Sequence, residues 1–299
     1  MGPYMARTGD RGQHMMKLTA GLQVNIDFAD EADCIEKLRL GQILAPLLYA
    51  LFANSPIMED RPTGFLSTRG DIWARTDPDR CGLLSQIFRP DAGFQSYVDF
   101  ALDVPMYFIV REGNYVDLTG CRFTFRRYLA EGFQEHRAIL GDWDLHLSTL
   151  FPEVRLRPQI EFRSADSLPP HLSMAVSALI KGIFYDESAQ QEFRSLFGEM
   201  EIEELDRLYR RSWQLGLKTP FRSSSLRSLA RQTLSIAQQG LVNQAQRNSR
   251  GLDERIYMAG VEEIIETGQT LSERLLARWQ GDRQEKVALL QEHCGFDGN

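Results

Sequence analysis

The chain has 299 residues, 43% hydrophobic and 25% charged, which argues against disorder and leaves room for one large core or two modest ones. Its formal net charge of −7, from 34 Lys and Arg against 41 Asp and Glu, argues against a protein built around a nucleic-acid backbone, although local basic clusters can still take a nucleotide. Four scattered cysteines, Cys34, Cys81, Cys121 and Cys294, show no CxxC and no Cys/His spacing, so neither a disulfide framework nor a zinc site is expected.

The N-terminal run MGPYMARTGDRGQHMMK lacks the apolar core of a signal peptide. The most apolar stretch, Gln42 to Ala53, contains Pro46 and is far short of a membrane span. The expectation is a cytoplasmic protein with no membrane partner.

From Thr19 to Phe28 the sequence TAGLQVNIDF places Leu22, Val24, Ile26 and Phe28 in alternation with Gln23, Asn25 and Asp27. That period of two predicts a strand with one apolar and one polar face. Asp30 or a neighbour can then cap a helix that runs to about Ala53, where Asn54-Ser55-Pro56 stops it. Residues 54 to 95 are rich in Pro, Gly, Asp and Arg and read as a long irregular excursion, a feature that is more often functional than not. Two short apolar runs around Glu112-Gly113-Asn114 predict a hairpin, and short helices are expected over Phe123–Gly132 and Asp142–Leu150.

The segment EVRLRPQIEFR, Glu153 to Arg163, alternates again, with Glu153, Arg155, Arg157, Gln159, Glu161 and Arg163 on its polar side. Pro158 brings no donor to a ladder, so it marks an edge, a bulge or a break into two pieces. After Pro169-Pro170 the patterns are helical to about Leu290, apart from a loop at Leu217–Ser225.

The polar faces Gln23/Asn25/Asp27 and Gln159/Glu161/Arg163 either point at water, as half-solvated sheets do, or line one polar cavity. Carboxylates and carboxamides supply oxygen ligands for Mg²⁺, and arginines meet phosphate oxygens in a two-point fork. Arg69 and Trp73, four apart, share a face if the local chain is helical, and a guanidinium beside an indole can still present its fork to a carboxylate. The alternative there is a surface loop with locally paired charges, and Asp77-Pro78-Asp79 can be plain turn chemistry. His14, His136, His146, His171 and His293 form no HxH or HExxH group, so each is expected on the surface or in the core. No GxSxG, Walker-type or GxGxxG motif occurs.

An ordered set of blocks resembles the glutamate–cysteine ligases of plants and proteobacteria. It begins with the Gly9–Phe28 run ending in QVNIDF, ALFANSP at Ala50–Pro56 and GFLSTRGDIWARTDPDRCG at 64–82. It continues with GFQSYVDFALDVPMYF at 93–108, DWDLHLSTLFPEVRLRPQIEFRSAD at 142–166 and GLKTPFR at 216–222. The resemblance implies an α+β fold of the glutamine synthetase/guanido kinase kind. In it an antiparallel sheet curls into a half-barrel with outer helices and the site on its concave face. One catalytic-type domain over 1–299 is expected, sheet-containing to about 170 and mainly helical beyond. It further implies an ATP-dependent ligation of the γ-carboxylate of L-glutamate to the amine of L-cysteine, the first step of glutathione biosynthesis, with ATP and Mg²⁺ as cofactors. By the same resemblance Gln23 and Asn25 sit in the site, Arg69 binds a carboxylate of glutamate and Trp73 closes over it. Glu161 is then a magnesium ligand and Arg163 a contact to the transferred phosphate. Family members carry a segment ahead of the point where this chain begins, which supplies further acidic ligands and part of the sheet. Partners are therefore the small-molecule substrates and either a second copy or an N-terminal half. A γ-glutamyl ligase with another amine acceptor and a non-catalytic or regulatory paralogue are the alternatives.

Overall fold

The computed structural model describes residues 2–295 and divides into two compact units, each assembled from separated segments. The first comprises Met1–Thr19, Asp27–Gln42 and Ile72–Glu161, and the second Ala20–Ile26, Ile43–Asp71 and Phe162–Asn299. The chain mixes helix and strand, and among the described residues no sheet closes into a barrel.

The largest sheet has three strands, with Ile160–Asp166 in the centre, Gly21–Ile26 on one side and Val154–Leu156 on the other. Pro158 breaks the alternating segment into the two strands Val154–Leu156 and Ile160–Asp166, and the turn between them is closed by Arg157 N donating to Gln159 O at 2.8 Å. Burial follows the period of two in the first strand, where Gln23 and Asn25 are exposed and Ile26 is buried. It does not in the central strand, which is buried at every position. Of the two readings of that polar face, bulk water is excluded for Glu161 and Arg163, each 6% exposed.

In the first unit the predicted hairpin pairs Phe108–Arg111 with Asn114–Asp117. Glu112 and Gly113 both take positive φ, 50° and 79°, the combination that a two-residue turn needs to match strand twist. Phe123, Phe125, Tyr128, Met106, Ile109 and Leu118 form a core beneath it. The helix Phe125–Glu131 begins at Thr124, whose hydroxyl accepts from Arg127 N at 3.2 Å.

The excursion read as irregular is ordered by a buried arginine. Arg80 is 0% exposed and donates through Nε to Asp77 Oδ2 at 2.6 Å, through Nη2 to Pro105 O at 2.6 Å and through Nη1 to Thr149 Oγ1 at 3.2 Å. Its guanidinium also lies 3.6 Å from the Tyr107 ring centroid. A charge so placed must be answered on all sides, and here it is. Asp77 makes turn chemistry as well, with Oδ1 accepting from Asp79 N at 3.1 Å.

The second unit is mainly helical. Pro170–Phe184 crosses Leu226–Gln244 at Gly182 and Gly240, where an added Cβ on either glycine would collide with the backbone of the other helix. Thr270 with Glu273 and Asp282 with Glu285 form capping boxes at the starts of Leu271–Arg278 and Arg283–Cys294. No helix among the described residues is long and apolar enough to cross a membrane.

Among the histidines, His146 is a core residue: it is buried, Nε2 lies 2.8 Å from Ala101 O, and its ring lies 5.1 Å from that of Phe125. Against a carbonyl the neutral ring donates from Nε2. Burial pushes its pKa down to about 4 from 6.5. Between those values the unfolded chain binds the proton and the folded chain does not, so stability is intact above pH 6.5 and lost as pH falls toward 4. Denaturant titrations of the wild type and His146→Gln test this. From pH 6.5 to 5 the wild type should lose about 2 kcal/mol more than the variant, and parallel losses would mean that His146 is not held neutral.

Candidate functional site

The helix Thr68–Ala74 begins in the second unit, on a platform of aromatic rings. Leu66 N and Ser67 N both donate to Trp213 O at 2.9 Å. Gly70 lies so close to the Trp213 ring that an added Cβ would come within 2.6 Å of Cγ. Trp213 packs in turn on Tyr209, with ring centroids 4.7 Å apart, and Tyr209 on Tyr49 at 5.8 Å. Ser67 caps the helix, accepting from Gly70 N through Oγ at 3.3 Å.

Arg69 projects from this first turn into the fold and is 6% exposed, which excludes the surface-loop reading. Nη2 donates to Arg163 O at 2.6 Å, and Cζ lies 6.0 Å from the Tyr49 ring centroid. The guanidinium lies over the start of the first strand: a Cβ on Gly21 would sit 2.6 Å from Arg69 Nε and 2.8 Å from Nη2. Glycine at 21 is therefore a condition for Arg69 to lie where it does. The second unit thus brings together Arg69, Arg163 and the strand that carries Gln23 and Asn25.

At the end of the central strand Asp166, 2% exposed, accepts from Asn54 N at 2.7 Å, Ser55 Oγ at 2.8 Å and Ser67 Oγ at 2.8 Å. Burial pushes its carboxyl above the ordinary value, opposed by the Arg69 charge and these donors.

Trp73 and Glu161 fall in the first unit. The Trp73 ring meets Phe151 edge-on, with centroids 5.5 Å apart at 62°. Both Glu161 carboxylate oxygens accept from Arg155 Nη2, at 2.9 and 3.0 Å, in an ion pair whose side chains are each 8% exposed. Arg155 is tied further by Nη1 to Leu150 O at 3.0 Å. Among the described residues no three His, Cys, Asp or Glu side chains are grouped to hold a metal ion.

Sequence reasoning did not single out Asp166, Ser55, Ser67, Tyr49 or Arg155. For Arg155 a signal existed, since opposite charges stand on the polar side of the strands flanking Pro158. For Asp166 none did, because a lone Asp before a Pro-Pro pair carries no pattern.

Over residues 1–293 the chain matches the family model described as glutamate–cysteine ligase family 2 (GCS2). It is 42% identical over 290 residues to a protein of Medicago truncatula named glutamate–cysteine ligase, chloroplastic, covering 96% of this chain and 56% of that protein. The proteins of the same name from Brassica juncea and Arabidopsis thaliana are 42% and 41% identical, again over 96% of this chain and over 55% and 54% of their own lengths. The chain belongs to the glutamate–cysteine ligase family, and it spans about half the length of the curated relatives it matches.

The contact between Gly21 and Arg69 gives a test of this geometry. Gly21→Ala should cost about 1–3 kcal/mol, because the guanidinium must leave Arg163 O. In an Arg69→Ala background the same change should cost close to nothing. Equal costs in both backgrounds, measured by denaturant unfolding, would place the strain elsewhere.

Proposed function

We propose that this chain carries part of an ATP-dependent ligase that joins the γ-carboxylate of L-glutamate to the amine of L-cysteine. The observation that carries the reading is the buried Arg69 guanidinium, held between the Arg163 carbonyl and Gly21 of the first strand, in a chain of this family. Arg69 takes a carboxylate of glutamate, Gln23 and Asn25 offer carboxamides to the same substrate, and Trp73 closes over it. Arg163 takes oxygens of the phosphate in transfer.

The chemistry asks for such groups. A carboxylate resists an amine because oxide would have to leave. The γ-carboxylate therefore attacks the terminal phosphorus of ATP, forming γ-glutamyl phosphate and releasing ADP. The cysteine amine then adds to the acyl carbon and phosphate leaves with its bonding pair, while the amine gives up a proton. Glutamate and triphosphate are both anionic, so arginines that lie in place before reaction lower the cost of their approach. Positioning the two anions in line does much of the rest.

Magnesium belongs to the proposal, and it supplies charge neutralisation on the phosphates. An ion that arrives on a triphosphate needs only one or two protein carboxylates, since phosphates and waters complete its shell. Glu161 is that carboxylate in this reading, with Arg155 as its resting partner. The curled half-barrel form of the sheet is part of the same proposal. A second reading, a paralogue that binds glutamate without turnover, is favoured by the engagement of Glu161 with Arg155. Turnover under saturating substrates separates the two.

Arg69→Lys keeps the charge but loses the planar fork. A charge-assisted hydrogen bond contributes about 1.5–3 kcal/mol, so glutamate use should weaken roughly tenfold to a hundredfold. The KM for ATP should hardly change. Steady-state kinetics that vary glutamate and ATP separately decide it: unchanged glutamate parameters remove Arg69 from the site, and a selective ATP defect moves it to the other substrate.

Glu161→Gln should lower turnover more than it lowers folding stability, because a carboxylate on the metal side acts mainly where charge develops. A variant that unfolds readily while its folded fraction turns over normally would make Glu161 a structural partner of Arg155.

A further inference from the structure

We infer that Asp166 is a positioning residue that fixes the start of the Thr68–Ala74 helix, and with it Arg69, for the carboxylate of glutamate; the inference rests on the reading of Arg69 given above.

The helix has seven residues, too few to hold its own shape. Its first turn carries backbone N–H groups with no partner inside the helix. Arg69 N donates to Ser55 Oγ at 3.1 Å and Gly70 N to Ser67 Oγ at 3.3 Å. A serine hydroxyl has one proton, and both serines give it to Asp166, Ser55 to Oδ2 and Ser67 to Oδ1. With the protons so directed, each oxygen turns its lone pairs to the helix. Asp166 therefore sets the direction of both caps without touching the helix backbone itself.

The other end of Arg69 is held by the same strand. Its Nη2 donates to Arg163 O, three residues before Asp166. One strand thus fixes the backbone of Arg69 through two serines and its guanidinium through a carbonyl. Asp166 also holds Asn54 by its backbone N–H, and the Asn54 side chain bridges to Ser167 O at 2.8 Å and to His293 Nε2 at 2.6 Å. A buried carboxylate is a poor source of stability compared with well-packed apolar atoms. What it supplies is direction, and the direction serves one arginine.

The test is a double-mutant cycle on the full chain, with L-glutamate and ATP binding read separately by calorimetry. Asp166→Asn keeps the shape but turns an NH₂ toward one or more donors. It should weaken glutamate binding tenfold or more while Arg69 is present, and less than twofold in an Arg69→Lys background. ATP binding should change less than twofold in either. Should Asp166→Asn fail to fold by circular dichroism, Ser67→Ala replaces it, with a smaller weakening of the same pattern expected. Equal weakening in both backgrounds would mean general damage and overturn the inference. So would a folded variant that binds glutamate normally, while Arg69→Lys still loses it; in that case the reading of Arg69 stands alone. Normal glutamate binding by Arg69→Lys itself would overturn both.

Discussion

Charge inside a fold must be answered by partners, and the strand Ile160–Asp166 carries three charged side chains with no exposed position. Much of the surrounding structure is arranged around that constraint. Glu161 is answered by Arg155, which is itself fixed by the carbonyl of Leu150. Asp166 is answered by a backbone N–H and two hydroxyls, all from residues 54, 55 and 67 ahead of the short helix at 68–74. The carbonyl of Arg163 is answered by Arg69, a fourth charge inside the fold. Gly21 and Gly70 are permissive elements of the same arrangement, one making room for a guanidinium and the other for an indole.

The parts of this fold that follow short-range rules were legible in the sequence. Alternation predicted both strand segments, Pro158 marked an edge, a bulge or a break and proves to be a break, and Glu112-Gly113-Asn114 predicted a hairpin, whose turn takes positive φ at Glu112 and Gly113. Asp30 caps the long helix as its residue type suggested, accepting from Asp33 N at 2.9 Å. What stayed hidden depends on distant partners. The segment from 54 to 95 reads as irregular because its order comes from distant partners, Asp166 and Trp213 for its earlier part and, for its later part, Arg80 meeting Pro105, Tyr107 and Thr149. The alternation at Glu161 and Arg163 left open a face turned to water or to a polar cavity, but a strand covered on both sides keeps its polar residues only when each finds a partner. Of the candidate site, Arg69 and Arg163 were readable from the family's blocks, whereas Asp166 becomes visible only when residues 55, 67 and 166 are seen together.

The ligase reading proposed for this chain gives these residues a common purpose. Ligation through an acyl phosphate has to bring two anions together, and pre-placed guanidinium groups meet that demand without reorganisation at the moment of reaction. In the second unit, Arg69 is fixed at both ends before any substrate arrives. The division of roles proposed here, with glutamate on Arg69 and phosphate on Arg163, uses an arginine packed over Gly21 and another on the strand beside the one that carries Gln23 and Asn25.

The most direct measurement is ADP release by a complete form of the ligase that contains this chain, with L-glutamate, L-cysteine and Mg·ATP, each component left out in turn. The account predicts release that requires all three, with a γ-glutamyl dipeptide formed in equal amount. Release that continues without glutamate, or no release with all three present, would contradict it.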